Sequence, residues 1–207
     1  MKTKSTKKAK PKSKTSSKAS GQSNANGKAI NRSNDIISLI MIDHEPLKKL
    51  IMTLKDSKVE ITKKRPAYRE FKRALTVHAR AEEESLYVHM KEEDEGEDLR
   101  VESFEGDAEH AIADNLIKEI DYIGTNDDKW MAKVKVLAEL VEHHIKEEEK
   151  EFFKRIRKEF TTDERAEIGK EYINLFSRFS EDADDEDFDD DDEDKKRKPS
   201  ETAEIWV

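Results

Sequence analysis

The chain of 207 residues contains no cysteine, four prolines and six glycines, and only 7% of it is aromatic. Without cysteine there is no disulfide framework, thiolate zinc site, iron–sulfur cluster or cysteine nucleophile, so any metal must be held by His and carboxylates. No apolar run approaches the roughly 18–20 residues that span a bilayer; the longest candidate, Ile36–Ile42, is interrupted by Ser38. The first thirty residues also lack the apolar segment of a secretory signal and the Arg-rich amphipathic pattern of a mitochondrial presequence, and a cytoplasmic protein is the expectation. Charge, in contrast, is abundant: Asp, Glu, Lys and Arg make up 43% of the chain, with a formal net charge of −9.

That net charge averages three unlike regions. Residues 1–28 carry nine Lys and no acid, while residues 181–207 carry fourteen acids against four bases. The Lys-rich segment, read as 1–30, has no large apolar residue between Met1 and Ile30 and is expected to be a disordered solvating tail. Weak salt-dependent contact with nucleic acid is the alternative, although the segment lacks interleaved aromatics and any Arg for reading base edges. The acidic run of 181–207 repels itself and is expected to stay extended; it lacks the alternating ligands, central Gly and closing Glu of a calcium loop. A single domain over residues 31–180 holds the material for a core.

Within that domain apolar residues recur at intervals of three and four, and nothing alternates with the period of a strand. One stripe carries Ile37, Ile40, His44, Leu47, Ile51 and Leu54 after an N-cap at Ser33 or Asn34, with Pro46 inside it as an expected kink. A second carries Phe71, Leu75, His78, Glu82, Ser85 and His89 after a start at Pro66. A third runs from about Asp107 through His110, Ala113, Ile117 and Ile120 to Gly124. The fourth opens near 126–128 and carries Trp130, Val134, Leu137, Val141, His144, Glu148 and Phe152. A shorter fifth helix is expected over Thr162–Phe179, on an incomplete capping pattern. The pattern predicts an all-α protein: an up-down-up-down antiparallel four-helix bundle, a short additional C-terminal helix and disordered charged tails.

Each of the four main stripes is interrupted by His or by His and Glu, and the interruptions repeat. A shift of 66 residues carries His44 onto His110, His78 onto His144 and Glu82 onto Glu148. The surrounding text follows: HARAEEESLY at 78–87 matches HIKEEEKEFF at 144–153. With six His in 207 residues, two His pairs at one common shift are far from chance. A His and a Glu four residues apart share one helix face at about 6 Å, so two such pairs and one His from each remaining helix converge on the bundle interior. Four imidazoles and two carboxylates exceed one tetrahedral zinc and suit two metals with mixed nitrogen and oxygen ligation, iron or manganese. A Glu-x-x-His pattern and a His-Glu-x-x-His helix are both missing, which disfavours the ferritin-like and metalloprotease alternatives. Read singly, Glu83, Glu149, Asp43 and Glu109 belong to solvated faces, His143 to the surface, and His89 to the core or the periphery of a site. Tyr87, Trp130, Phe152 and Phe153 read as core.

In this order and spacing the residues from Ile36 to Phe153 resemble the hemerythrin, or HHE cation-binding, family: Asp43-His44, His78 with Glu82-Glu83, Glu109-His110, and His144 with Glu148-Glu149. The resemblance implies a non-haem di-iron centre with His44, His78, His110 and His144 as terminal ligands and Glu82 and Glu148 as bridges, manganese being the less expected metal. It also implies a metal-binding or sensor protein that binds oxygen or nitric oxide, or handles iron under oxidative stress. Oxygen carriers of the family place a second His four residues along the third helix and an Asp bridge on the fourth; here those positions are Asp114 and Glu148. The departure implies a more open site than a reversible oxygen carrier has. A di-iron oxidase or peroxidase-like enzyme, and a helical interaction module with a nucleic-acid-binding arm, are the alternatives.

Overall fold

A computed structural model of the chain describes residues 34–91, 97–123 and 127–193. The Lys-rich tail, the acidic tail beyond residue 193, Ser33 as a cap and the expected C-cap Gly124 lie outside the described residues, all of whose regular structure is helical. The helices are α1 (Ile36–Lys55), α2 (Ile61–Glu83), α3 (Leu86–Met90), α4 (Glu97–Ile123), α5 (Asp127–Glu147), α6 (Phe153–Glu159) and α7 (Thr162–Glu193), with a π-helical turn, Glu148–Phe152, between α5 and α6. None of them is long and apolar enough to cross a membrane.

Several boundaries differ from the sequence expectation, each for a local reason. The cap of α1 is Asp35, whose carboxylate accepts from the Ile37 N–H at 3.1 Å. The helix continues through Pro46, two residues past His44. α2 begins at Ile61 rather than Pro66, because Ile61 already packs on the core. α4 starts well before Asp107: Gly106 lies inside the helix, and its missing side chain makes room for the Tyr87 ring. A Cβ there would meet the Tyr87 hydroxyl at 2.4 Å. The capping box of α7 is complete one residue earlier than expected: Thr161 Oγ1 accepts from the Glu164 N–H at 3.3 Å, and the Glu164 carboxylate accepts from the Thr161 N–H at 2.7 Å. The same helix, expected to be short, runs for 32 residues to Glu193, so the acidic run expected to stay extended is helical up to that point, since apolar periodicity marks where a helix packs and not where its backbone hydrogen bonds stop.

Among the described residues, two apolar clusters make the core. Ile36, Ile37, Ile40, Leu86, Tyr87, Met90, Phe153 and Tyr172 belong to one; Leu47, Ile51, Leu54, Phe71, Leu75, Ile117, Trp130 and Leu137 belong to the other. The boundary between them is a polar layer, because α1 passes from the first cluster to the second at His44 and α2 passes between them at His78. α1 packs on α2 and α5, α4 packs on α5, and α7 lies across α1 and α2.

The docking of α7 is built from specific contacts. Arg165 donates to Asp35 at 2.9 Å and also to the Phe160 carbonyl at 2.7 Å. Gly169 lets α7 approach the backbone of Asn34 so closely that a Cβ would sit 1.7 Å from its carbonyl oxygen. Asp35 thus serves as helix cap and as docking partner at once. Replacing it with Ala is expected to cost about 1–2 kcal/mol, read as a lower denaturant midpoint with unchanged slope.

Candidate metal centre

The helical period delivers His44 from α1, His78 and Glu82 from α2, His110 from α4, and His144 and Glu148 from α5 and the π-turn to one buried layer. All six are at most 6% exposed. Two groups form within the layer: His44, His78 and Glu148 in one, Glu82, His110 and His144 in the other, with one donor atom from each residue within 4.8 Å of its group. Each group takes two imidazoles and one carboxylate, and the carboxylates come crosswise from the partner half of the repeat.

The chain leaves regular α-geometry at the same place in both halves, just after the layer. α2 stops at Glu83 and a turn at Glu84 and Ser85 precedes α3, whereas α5 gives way to the π-turn at Glu148. The extra backbone length turns equivalent rings onto equivalent imidazoles. Tyr87 stacks on His110 with centroids 5.7 Å apart, and Phe153 stacks on His44 at 6.1 Å. The halves differ in that Tyr87 has a hydroxyl, which donates to Glu148 at 3.3 Å.

Each of the four imidazoles in the layer uses Nδ1 outward and Nε2 inward. His44 Nδ1 lies 2.9 Å from Glu149, His110 Nδ1 2.8 Å from Glu83, and His144 Nδ1 2.6 Å from Glu109. His78 Nδ1 lies 3.2 Å from the Tyr172 hydroxyl, which donates in turn to Asp43 at 2.5 Å. A carboxylate only accepts, so the first three Nδ1 atoms carry their protons; the Tyr172 oxygen, its own proton given to Asp43, accepts from His78. Glu83, Glu149, Glu109 and Asp43 are therefore anchors of the layer and not free surface acids, which corrects the reading from sequence. Each follows or precedes an inward residue; Glu83, Glu149 and Glu109 meet an imidazole edge across the seam with a neighbouring helix, and Asp43 meets the Tyr172 hydroxyl.

With Nδ1–H directed outward, the Nε2 lone pairs converge. His110 Nε2 and His144 Nε2 stand 3.2 Å apart. His44 Nε2 is 3.2 Å from Glu148 Oε2, but out of hydrogen-bond alignment. Among the described residues, His44 Nε2, His78 Nε2, both oxygens of Glu82 and Glu148 Oε2 are buried without a hydrogen-bond partner. Opposed lone pairs and orphaned carboxylate oxygens are costly when buried, and one cation per group would satisfy them together. The donor set fits cations that take mixed nitrogen and oxygen ligands.

The electrostatics agree. Burial, reinforced by Glu148, pushes Glu82 well above the usual carboxylate range. Burial would raise Glu148 as well, but His144, His44 and His78 outweigh it and hold its carboxyl far down. Burial, together with His44, holds His78 well below the ordinary imidazole value. Two buried carboxylates side by side cannot both ionise cheaply without cations nearby.

The remaining sequence candidates stand apart. His89 is partly exposed on α3 and pairs with Glu171 at 2.8 Å. His143 is 63% exposed and pairs with Glu147. Asp114 is exposed on α4. Nothing in the spacing of Tyr172 along α7 signals that its hydroxyl reaches His78.

A profile of the hemerythrin HHE cation binding domain matches residues 35–156, more than half of the chain. The chain belongs to this family. Comparison with curated proteins and with solved structures finds no match. The hemerythrin match spans α1 through most of α6 and every residue of the polar layer, and stops short of α7.

Proposed function

We propose that the chain is a hemerythrin-like non-haem di-iron protein, an up-down-up-down antiparallel four-helix bundle with α7 laid on it, that binds or senses oxygen or nitric oxide or handles iron under oxidative stress. In this reading His44, His78, His110 and His144 would hold the two cations through their imidazoles, and Glu82 and Glu148 through their carboxylates. The observation that carries it is the inward convergence of four Nε2 atoms and two carboxylates, five of whose atoms are buried without a hydrogen-bond partner. Bound iron would supply the redox-active, diatomic-binding chemistry. The residues do the rest. Glu149, Glu83, Glu109 and Tyr172 fix the imidazole tautomers and aim the lone pairs. Phe153 and Tyr87 wall the layer with aromatic surface that keeps water away. Tyr87 also holds a proton one hydrogen bond from Glu148.

Metal analysis of the purified full chain tests the proposal. About two irons per chain are expected, with loss of both in a variant carrying His78→Ala and His144→Ala, which removes one imidazole from each group. An unmetallated wild-type protein after anaerobic incubation with ferrous iron would sink it.

A further inference from the structure

The internal repeat makes the two cation positions look equivalent, and the anchors behind them show that they are not. The position formed by Glu82, His110 and His144 has a carboxylate directly behind each imidazole, Glu83 at 2.8 Å and Glu109 at 2.6 Å. At the position formed by His44, His78 and Glu148, both anchors are weaker. Glu149 shares its Oε1 between His44 and Lys48 Nζ, the latter at 2.6 Å, so the ammonium draws on the charge that would make His44 more basic. Behind His78 stands a neutral phenol, and the acid lies one hydrogen bond further away. The repeat itself explains the difference. Asp43 corresponds to Glu109, but its side chain is one methylene shorter, and the Tyr172 hydroxyl fills the gap. Tyr172 comes from α7, which lies outside residues 35–156 and packs on α1 and α2, the helices that supply His44 and His78.

We propose that Tyr172 and Asp43 are positioning residues for His78, and that the His44–His78–Glu148 position, strapped by α7, is the one that exchanges its cation while the Glu82–His110–His144 position retains it. The inference rests on the di-iron reading. Outward anchoring fixes which nitrogen carries the proton and raises the basicity of the other, and a carboxylate does this more strongly than a phenol. Without the Tyr172 hydroxyl, His78 loses its Nδ1 acceptor in a fully buried setting. It then gains by carrying its proton on Nε2, 3.8 Å from Glu82 Oε2, and no lone pair faces the cation. Tyr172→Phe keeps the ring and its packing and removes only this device; Asp43→Asn keeps an acceptor for the Tyr172 hydroxyl and removes the charge behind it.

The test loads the full chain with ferrous iron under anaerobic conditions and follows release to a chelator. Wild type is expected to release two cations in two phases. In Tyr172→Phe the fast phase should quicken by about 10- to 100-fold, or the stoichiometry fall to one cation per chain, with the slow phase unchanged. Asp43→Asn should move the same phase by a smaller factor, and Glu109→Gln should move the slow phase instead. Helix content of the iron-free Tyr172→Phe protein should match the wild type, with only a small fall in melting temperature from the two lost hydroxyl bonds, which separates positioning from a packing role. If wild type takes up no iron, the di-iron reading falls and this inference with it. If wild type takes up two irons but releases them in one phase, or if both variants leave the fast phase unchanged or speed both phases equally, only the positioning inference is overturned.

Discussion

Stripping the cations from the loaded protein is expected to lower its melting temperature by roughly 10 °C, a shift of about 4 kcal/mol, or about 2 kcal/mol for each of two cations present at about thirty times its dissociation constant. The size of the effect follows from what the stripped layer contains. Two buried carboxylates and four convergent imidazoles lie between two apolar clusters, and five of their atoms lack hydrogen-bond partners. A cation in each group turns this burden into ligation energy, which the unfolded chain cannot recover because it has no preformed site. The gap between loaded and stripped protein should also narrow on acidification. Burial and the neighbouring Glu148 raise Glu82 in the stripped fold, so its contribution to that fold is present below the ordinary carboxylate value and is lost as pH rises through its raised value. His78 is shifted the other way, by burial and by His44: its contribution is present above the ordinary imidazole value and is lost as pH falls through its lowered one. The loaded form needs both groups deprotonated and therefore gives up more on acidification than the stripped form does. Thermal melts of loaded and chelator-treated protein at about pH 8 and about pH 5.5 check this, and an equal gap at both would contradict it.

Phe153→Ala should cost about 3–5 kcal/mol, a fall of roughly 10 °C or more in the melting temperature of a domain this size. Phe153 is 1% exposed and packs with Phe152 and the surrounding apolar cluster where the π-turn hands over to α6. Truncation leaves a large cavity there, and it also removes the ring that lies nearly parallel to His44. The variant should lose iron at the His44 position more than its stability deficit accounts for. Phe153→Leu, which keeps most of the volume and loses the flat face, should recover much of the stability and less of the iron retention. Calorimetry and metal counting on the two variants separate the two contributions.

The α-helical class, the repeat and the inward level of His44, His78, Glu82, His110, His144 and Glu148 were legible in the amino-acid order. They depend on the 3.6-residue period, a local property that a linear pattern records. Helix ends were less legible wherever a residue served a distant contact. Gly106, just before the expected start near Asp107, is a seat inside α4 for the Tyr87 ring; Asp35 caps α1 in place of the expected Ser33 or Asn34 and ties it to Arg165 of α7.

The hydrogen bonds behind the imidazoles belong to the tertiary structure. Glu83 and Glu149 follow an inward residue, and Asp43 and Glu109 precede one, so each points about 100° away around its own helix. That direction leads to solvent or to a neighbouring imidazole depending on which helix lies alongside, which no single helix encodes. The sequence by itself determined which side chains share the buried layer, because spacing along one helix fixes direction and height. Only the packing of α1, α2, α4, α5 and α7 decided which acids and which tyrosine stand behind each imidazole, and so made two equivalent halves into two unequal positions.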